Sequence, residues 1–267
     1  MTSDALNQIW QQRYGSDAPT GIPLDPRFFS HKSVRSFQAK PLPGGWTEAL
    51  IGAAQSASTS SHLQVWSVIS IQDPVRREEA AMLCGDQNQI RTCSLFLAFC
   101  GDHYRIRRAA EAKGENPDAL PYNEMYTMAV IDAALAAERL VVAAESLGLG
   151  ICYIGGLRNQ PEKIAELLKL PAGVVGLFGL AIGFPADSVT PEVKPRLAQH
   201  AVWFQEEYCL EPDTDEFDER MRIFYESQGM KGDFTWSARS GKRLRKGSMS
   251  NRENFGAFVR RQGMDQE

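Results

Sequence analysis

Histidine is scarce in this chain, at four in 267 residues, and the five cysteines have no metal-site spacing. Cys84, Cys93, Cys100, Cys152 and Cys209 form neither a C-x-x-C pair nor a zinc-type cluster, so no metal site or dithiol centre is expected and they read as reduced core thiols. Positive charge is not in excess: the formal net charge of −4 lacks the basic footprint through which proteins neutralise nucleic-acid phosphates. The start, "MTSDALNQIWQQRYGSD", has no apolar run of signal-peptide length, so a cytoplasmic location is expected. No uncharged run suits a membrane span, because Asp132, Glu138, Arg139 and Glu145 interrupt the apolar stretch 122–147. G-x-S-x-G, H-E-x-x-H and G-x-x-x-x-G-K-[ST] are all missing. "GLGICYIGG" follows a helical pattern, whereas a dinucleotide-binding turn must follow a strand, so a Rossmann unit is rejected.

What remains is 43% hydrophobic, with five Trp and thirteen Phe, enough for one sizeable core with appendages. Leu6, Ile9 and Trp10 mark a first helix, and "GGWTEALIGAAQSA" a second from Trp46. "VWSVISIQD" (65–73) and "SLFLAFCG" (94–101) read as strands around a helix opened by Asp73 and Pro74. From Tyr122 to Leu147 the pattern predicts a long helix that is apolar almost all round, hence buried or shared with a partner. "ICYIGG", a helix ending near Leu170 and the glycine-broken strand "VVGLFGLAIGFP" follow. Strands and helices interleave around a central helix, which gives an α/β or α+β class. After Pro185 the chain is punctuated and mostly extended, with an amphipathic helix in "EFDERMRIFYESQG" and eight Lys or Arg between 239 and 261. This tail shows no core of its own and is expected to wrap around a neighbour.

Several stretches carry candidate chemistry. In "HKSVRSF" an extended backbone would put His31, Ser33 and Arg35 on one face at roughly 6.6 Å spacing, suited to an anion or simply to water. "SASTSSHLQ" places Ser58, Thr59, Ser60 and Ser61 just after a helix, as a loop or as a row of donors. Lys194 and Arg196 flank a rigid proline, and Gln87 in "GDQNQ" offers a neutral amide. Gly155 and Gly156 make either a tight turn or a place where backbone approaches a flat ligand.

In this order, "HKSVRSF", "SASTSSHLQ", "GDQ", "AAESLGLGICYIGGLRN", "LLKLP", "LFGLAIGFPAD" and "KPRL" resemble the nitroreductase family, in its NADPH-dependent, oxygen-insensitive nitroreductase and flavin reductase group. The similarity is close over about 28–200 and loose in the tail. It implies an α+β fold with a central mixed sheet surrounded by helices, in an intertwined homodimer. One domain would span 1–267, with an N-terminal extension (1–27), an FMN-binding core (28–185) and a dimer-wrapping, pocket-covering extension (186–267).

By that resemblance His31, Lys32, Ser33 and Arg35, with Lys194 and Arg196, would hold the phosphate and ribityl chain of FMN, as a dianion prefers clustered donors. Thr59, Ser60 and Ser61 would reach in from the other subunit. Gln87 would bond the isoalloxazine edge, and Tyr153, Ile154, Gly155 and Gly156 would lie beside the ring. The implied activity is ping-pong: NADPH or NADH gives hydride to flavin N5, and a nitroaromatic, quinone or flavin then takes the electrons. No side chain need be catalytic. A flavin reductase releasing free reduced flavin, and a flavin-binding sensor or carrier without turnover, are the alternative functions.

The chain departs from the group in places. It begins about twenty residues before compact members, carries an elaborated loop, "RIRRAAEAKGENPDALP", and has His62 where an aromatic is usual. Glu124 falls at the group's pocket carboxylate, or serves the helix dipole. The group's arginine for the NADPH 2′-phosphate aligns with Gln228, ahead of Gly229, leaving Arg239 and its basic neighbours, or Arg252, to compensate.

Overall fold

A computed structural model describes residues 3–21, 23–188, 191–211, 213–232 and 234–265. By its internal contacts the chain divides into two compact units, one of 1–32 with 191–249 and one of 33–190 with 250–267.

The second unit is built on four strands, β1 (Trp66–Ser70), β2 (Leu95–Asp102), β3 (Gly150–Ile154) and β4 (Val174–Gly183), in the order β1-β2-β4-β3. All three pairings are antiparallel. The mixed character expected of the sheet is confined, among the described residues, to one parallel bridge between Ser33 and Ile151. β1 and β4 therefore run one way and β2 and β3 the other, so the connection from β2 to β3 crosses from one end of the sheet to the other. β2 is buried along its whole length, and its side chains alternate as a two-residue period requires. Phe96 and Ala98 enter one cluster with Ile90, Leu157 and Ile164, while Leu95, Leu97 and Phe99 enter another with Leu50, Leu140 and Ile182. Helices therefore cover both faces of the sheet.

On the first face lie α3 (Pro74–Leu83), α4 (Asn88–Thr92) and α7 (Pro161–Leu168). The start of α3 is set by Asp73, whose carboxylate accepts from Arg76 N at 2.9 Å, with Pro74 in the first turn. The second face carries α2 (Trp46–Gln55) and α6 (Asn123–Ser146). α6 keeps a row of alanines (Ala129, Ala133, Ala136, Ala137, Ala144) buried, so its backbone lies close to the sheet. α5 (Tyr104–Glu111) leaves the end of β2. α10 (Phe255–Arg261) buries Phe258 and Val259, with Met264, beside Val175 and Leu177 of the same chain. This part of the tail thus packs against its own chain, where its three buried apolar side chains share one face with Val175 and Leu177.

In the first unit, α1 (Ser3–Tyr14) places Trp10 against Tyr14 and Phe29, with ring centroids 4.7 and 5.1 Å apart. Arg13 donates to the carbonyls of Phe29, His31 and Lys194, and its own carbonyl accepts from Arg196 N. α8 (Asp215–Ser227) and α9 (Trp236–Arg243) are joined by Phe217 against Trp236 and by Ser237 N donating to Asp218 at 2.9 Å. Four cysteines are buried, but Cys209 is exposed in an unpacked stretch and is not a core thiol as expected. No helix among the described residues is long and apolar enough to cross a membrane.

Candidate functional site

β3 runs directly into a 3-10 turn, Gly155–Arg158, and the loop after α3 runs beside it. Between them opens a cavity of about 270 Å³ lined by Gln87, Tyr153, Ile154, Gly155, Gly156 and Arg252, among others, with no acidic residue in its lining among the described residues. The Gln87 amide is oriented by its neighbours: it donates to Gly85 O at 3.2 Å and accepts from Gln89 Nε2. One donor and one acceptor position stay open on that amide. The two glycines differ. A Cβ on Gly156 would lie 2.1 Å from Cys84 O, so this residue is small because two backbones touch. A Cβ on Gly155 would instead meet Arg252 Nη1 at 3.3 Å and Arg158 Nη2 at 3.7 Å, so here the backbone is bare toward cationic side chains. Tyr153 turns its hydroxyl to Glu138 Oε2 at 3.2 Å, and burial, reinforced by that carboxylate, raises its pKa. Burial pushes the Cys84 thiol up to about 12, so it is no nucleophile at neutral pH.

At 33–35 the chain runs beside β3, with Ser33 bridged in parallel to Ile151. Val34 N donates to Ile151 O at 2.8 Å, and Val34 is buried where Gly150 leaves no room for a Cβ, which would sit 2.5 Å from Val34 Cγ2. Ser33 and Arg35 are exposed on the opposite side. His31 and Lys32 belong to the first unit and are half-buried.

Thr59, Ser60 and Ser61 form a loop tied to α6. Thr59 Oγ1 donates to Asp132 Oδ2 at 2.5 Å, Ser60 N donates to Asp132 Oδ1 at 2.9 Å, and Val65 N donates to Asp132 Oδ2 at 3.2 Å. Ser61, His62 and Gln64 have φ of 48°, 57° and 53°, a conformation unfavourable for side chains with a Cβ. Asp132 holds it. The ring of His62 is exposed beside Gln64, and Glu124 is exposed in the first turn of α6.

The first unit has its own cavity, of about 850 Å³, lined by Lys194, Arg196, Phe217, Tyr225, Trp236 and Arg239, among others. Lys194 Nζ lies 3.4 Å from the Tyr225 hydroxyl, and the Arg239 guanidinium lies 4.6 Å from the centre of the Tyr225 ring. Gln228 Nε2 donates to Glu192 Oε2 at 2.9 Å. Of the two cations considered for a nucleotide phosphate, Arg239 lies in this cavity and Arg252 in the glycine-lined cavity of the second unit.

Residues 29–183 match the nitroreductase family, and residues 194–267 match the nitroreductase family, C-terminal domain. The chain belongs to the nitroreductase family. It is 43% identical over 196 residues to the FMN reductase (NADPH) of Bacillus subtilis, covering 73% of this chain and 77% of that protein. It is 40% identical over 202 residues to the oxygen-insensitive NADPH nitroreductase of Salmonella typhimurium, covering 74% and 81%. Among solved structures, the NADPH:FMN oxidoreductase of Vibrio harveyi complexed with NAD+ superposes with a TM-score of 0.79 at 32% identity, over 90% of this chain and 98% of that one.

Two residues that matter to this nitroreductase-family site were not singled out from the sequence. Asp132 interrupts an apolar helix in the sequence, and a carboxylate amid alanines is itself a signal. Asn159 closes the quoted block "YIGGLRN", and its partners lie 92 and 93 residues away.

Proposed function

We propose that this chain is an FMN-dependent NAD(P)H oxidoreductase that reduces nitroaromatics, quinones or related acceptors, as a cytoplasmic homodimer. The observation that carries it is the cavity lined by Gln87, Gly155 and Arg252, which mixes an open amide, bare backbone and positive charge. These fit the edge, the face and the electron-rich state of an isoalloxazine. When bound, FMN supplies the chemistry, taking two electrons and a proton from NAD(P)H and passing them to an acceptor after the nicotinamide has left.

The chain's own residues bind and orient. Gln87 would pair with the ring edge, and the backbone of Tyr153 to Gly156 would lie along the ring. His31, Lys32, Ser33, Arg35, Lys194 and Arg196 would take the phosphate and ribityl chain, and Thr59, Ser60 and Ser61 would approach from the second subunit. Buried Cys84 takes no part in electron transfer. His62, Glu124, Gln228 and Arg239 are candidates for acceptor and nucleotide contacts. The second subunit is argued from α6, where Ile131, Leu135 and Val142 are exposed and, by helical spacing, near one line. A dimer would cover them.

Heat-released flavin, identified by chromatography, should be FMN, and the yellow protein should bleach anaerobically with NADPH or NADH. FAD, a colourless protein, or a flavin that neither nucleotide bleaches would overturn the assignment; the last result would indicate a sensor or carrier. The names of relatives favour a second reading, a flavin reductase. Faster turnover of free FMN than of a nitroaromatic would select it. Light scattering should give a dimer, and Leu135→Glu should shift it to monomer; a flavin-loaded wild-type monomer would contradict the dimer.

A further inference from the structure

The loop from Thr59 to Trp66 is tied down by two side chains that divide the work. Asp132 takes its donors: Thr59 Oγ1, Ser60 N and Val65 N. Its acceptors go to Arg105, in the first turn of α5. Arg105 Nη2 donates to Gln64 O at 2.6 Å and to Trp66 O at 2.7 Å, and Nη1 donates to Ser67 Oγ at 2.9 Å and to Asp102 Oδ2 at 3.2 Å. Asp102, buried at the end of β2, also accepts from Arg105 N at 3.1 Å and from the Ser67 hydroxyl, and its own N–H donates to Val65 O at 2.9 Å. The loop is thereby stapled to the start of the elaborated stretch 105–121.

What Arg105 supplies is geometry. Its charge is matched by Asp102, while its planar fork reaches two carbonyls of alternate residues, which a single ammonium on a flexible stem cannot hold in the same way. The chain between these holds is strained: Ser61, His62 and Gln64 are all left-handed, a state that persists only where the surroundings over-determine it. Gln64 N donates to Thr59 Oγ1 at 2.9 Å and closes the loop on itself, and the side chains of Ser61 and His62 project from its tip, exposed.

We propose that Arg105 is a positioning residue for the electron acceptor: its fork fixes the 61–64 tip, so that the His62 imidazole presents a preset face on which a flat nitroaromatic or quinone stacks. The proposal rests on the reading above that this loop approaches the flavin across the dimer. A ring gains most from a ring whose plane is already set, and a tip that must order itself on binding loses part of that gain. Without the fork the tip keeps its residues but not their placement. The acceptor then binds more weakly, while electron transfer keeps its rate once the acceptor is seated.

The test compares wild type with Arg105→Lys, which keeps the charge and loses the fork, with His62→Ala, and with the pair of changes together. In the holoenzyme, amide hydrogen exchange over 60–65 should be about tenfold faster in Arg105→Lys than in wild type, with exchange in β4 unchanged. At saturating flavin, Arg105→Lys should raise the KM for a nitroaromatic by about tenfold, the upper end of what an aligned aromatic pair provides, and leave kcat near that of wild type. His62→Ala should raise the KM as much, and the pair no further, because both changes remove one effect. Unchanged exchange over 60–65 would show that Arg105 does not fix the tip. Faster exchange with an unchanged KM in Arg105→Lys or His62→Ala, or additive effects in the pair, would show that the acceptor does not use it. Either result overturns the positioning role, and so does a lower thermal midpoint with the KM unmoved, which marks a merely supporting contact. Wild-type protein that binds no FMN would instead sink the flavin assignment itself, so the failures are distinguishable.

Discussion

Thr59 and Asp132, 73 residues apart, are joined by a hydrogen bond of 2.5 Å from Oγ1 to Oδ2, which anchors a loop of left-handed residues to the middle of α6. Asp132 is almost fully buried, and its carboxylate also accepts the backbone N–H groups of Ser60 and Val65. Removing it leaves two backbone donors and a hydroxyl without their acceptor, each at a cost of about 1–3 kcal/mol where water cannot replace it. Asp132→Ala should therefore destabilise the protein by about 3 kcal/mol or more. Asp132→Asn, which keeps one acceptor oxygen, should cost less. Urea unfolding midpoints read both, and two variants as stable as wild type would mean that the loop is held by something else.

Arg35 is exposed on the extended segment whose other side is fixed by Val34 on Ile151. Its backbone is set by that pairing, so Arg35→Ala should remove charge and leave the fold intact. A lost charge-assisted bond to the phosphate corresponds to roughly 1.5–3 kcal/mol, or about 10- to 150-fold weaker FMN binding. Quenching of free FMN fluorescence by the flavin-free protein measures this, and an unchanged dissociation constant would place Arg35 outside the phosphate site.

His103 is fully buried between β2 and α5, with one ring nitrogen 3.0 Å from Met125 O and the other, Nδ1, without a hydrogen-bond partner among the described residues. Burial, assisted by the charge of Arg107 and opposed by Met125 O and Asp102, pushes its pKa below the ordinary 6.5. The unfolded chain then binds a proton that the folded chain refuses. Stability is full above that ordinary value and falls as the pH drops from it toward the folded one, by at most about 1.4 kcal/mol per pH unit for one proton. Thermal midpoints taken from about pH 8 to about pH 5 should fall more steeply in wild type than in His103→Gln, which cannot titrate. Parallel curves would exclude His103 as the source.

The elements were legible where a local signal set them: Asp73 and Pro74 opened α3, and the alanine-rich period marked α6. The 33–35 alternation was legible for the same reason, since a two-residue period needs no distant partner. What could not be read were pairings over long separations. Asp132 with Thr59, Gln228 with Glu192 and Arg252 with Asn159 are each fixed by tertiary packing, and nothing near either residue announces the other. The return of Phe258, Val259 and Met264 to the core was hidden for a related reason: cations surround them in a tail that reads as wet. Gly156 shows a third limit, because a glycine required by Cys84 O and one required by a ligand look alike in a sequence.

Gln228 stands where arginine-bearing relatives are expected to pair the 2′-phosphate of NADPH, and here its amide is already engaged by Glu192 at 2.9 Å. A neutral amide supplies no counter-charge, and the neighbouring carboxylate repels a phosphate. The resulting expectation is that NADPH is accepted with a weaker preference over NADH than an arginine would give. The carboxylate also changes what a simple substitution would do, because an arginine introduced at 228 would find Glu192 within reach and form an exposed ion pair. Gln228→Arg alone should therefore raise the NADPH preference only slightly, whereas Gln228→Arg with Glu192→Gln should raise it about tenfold, the lower end of what one charge-assisted phosphate contact provides. The ratio of kcat/KM for the two nucleotides, measured in wild type and both variants, decides it. A wild type that already favours NADPH a thousandfold, on the order of 4 kcal/mol, would show that other cations read the phosphate, with Arg239 and Arg252 the first to replace by alanine.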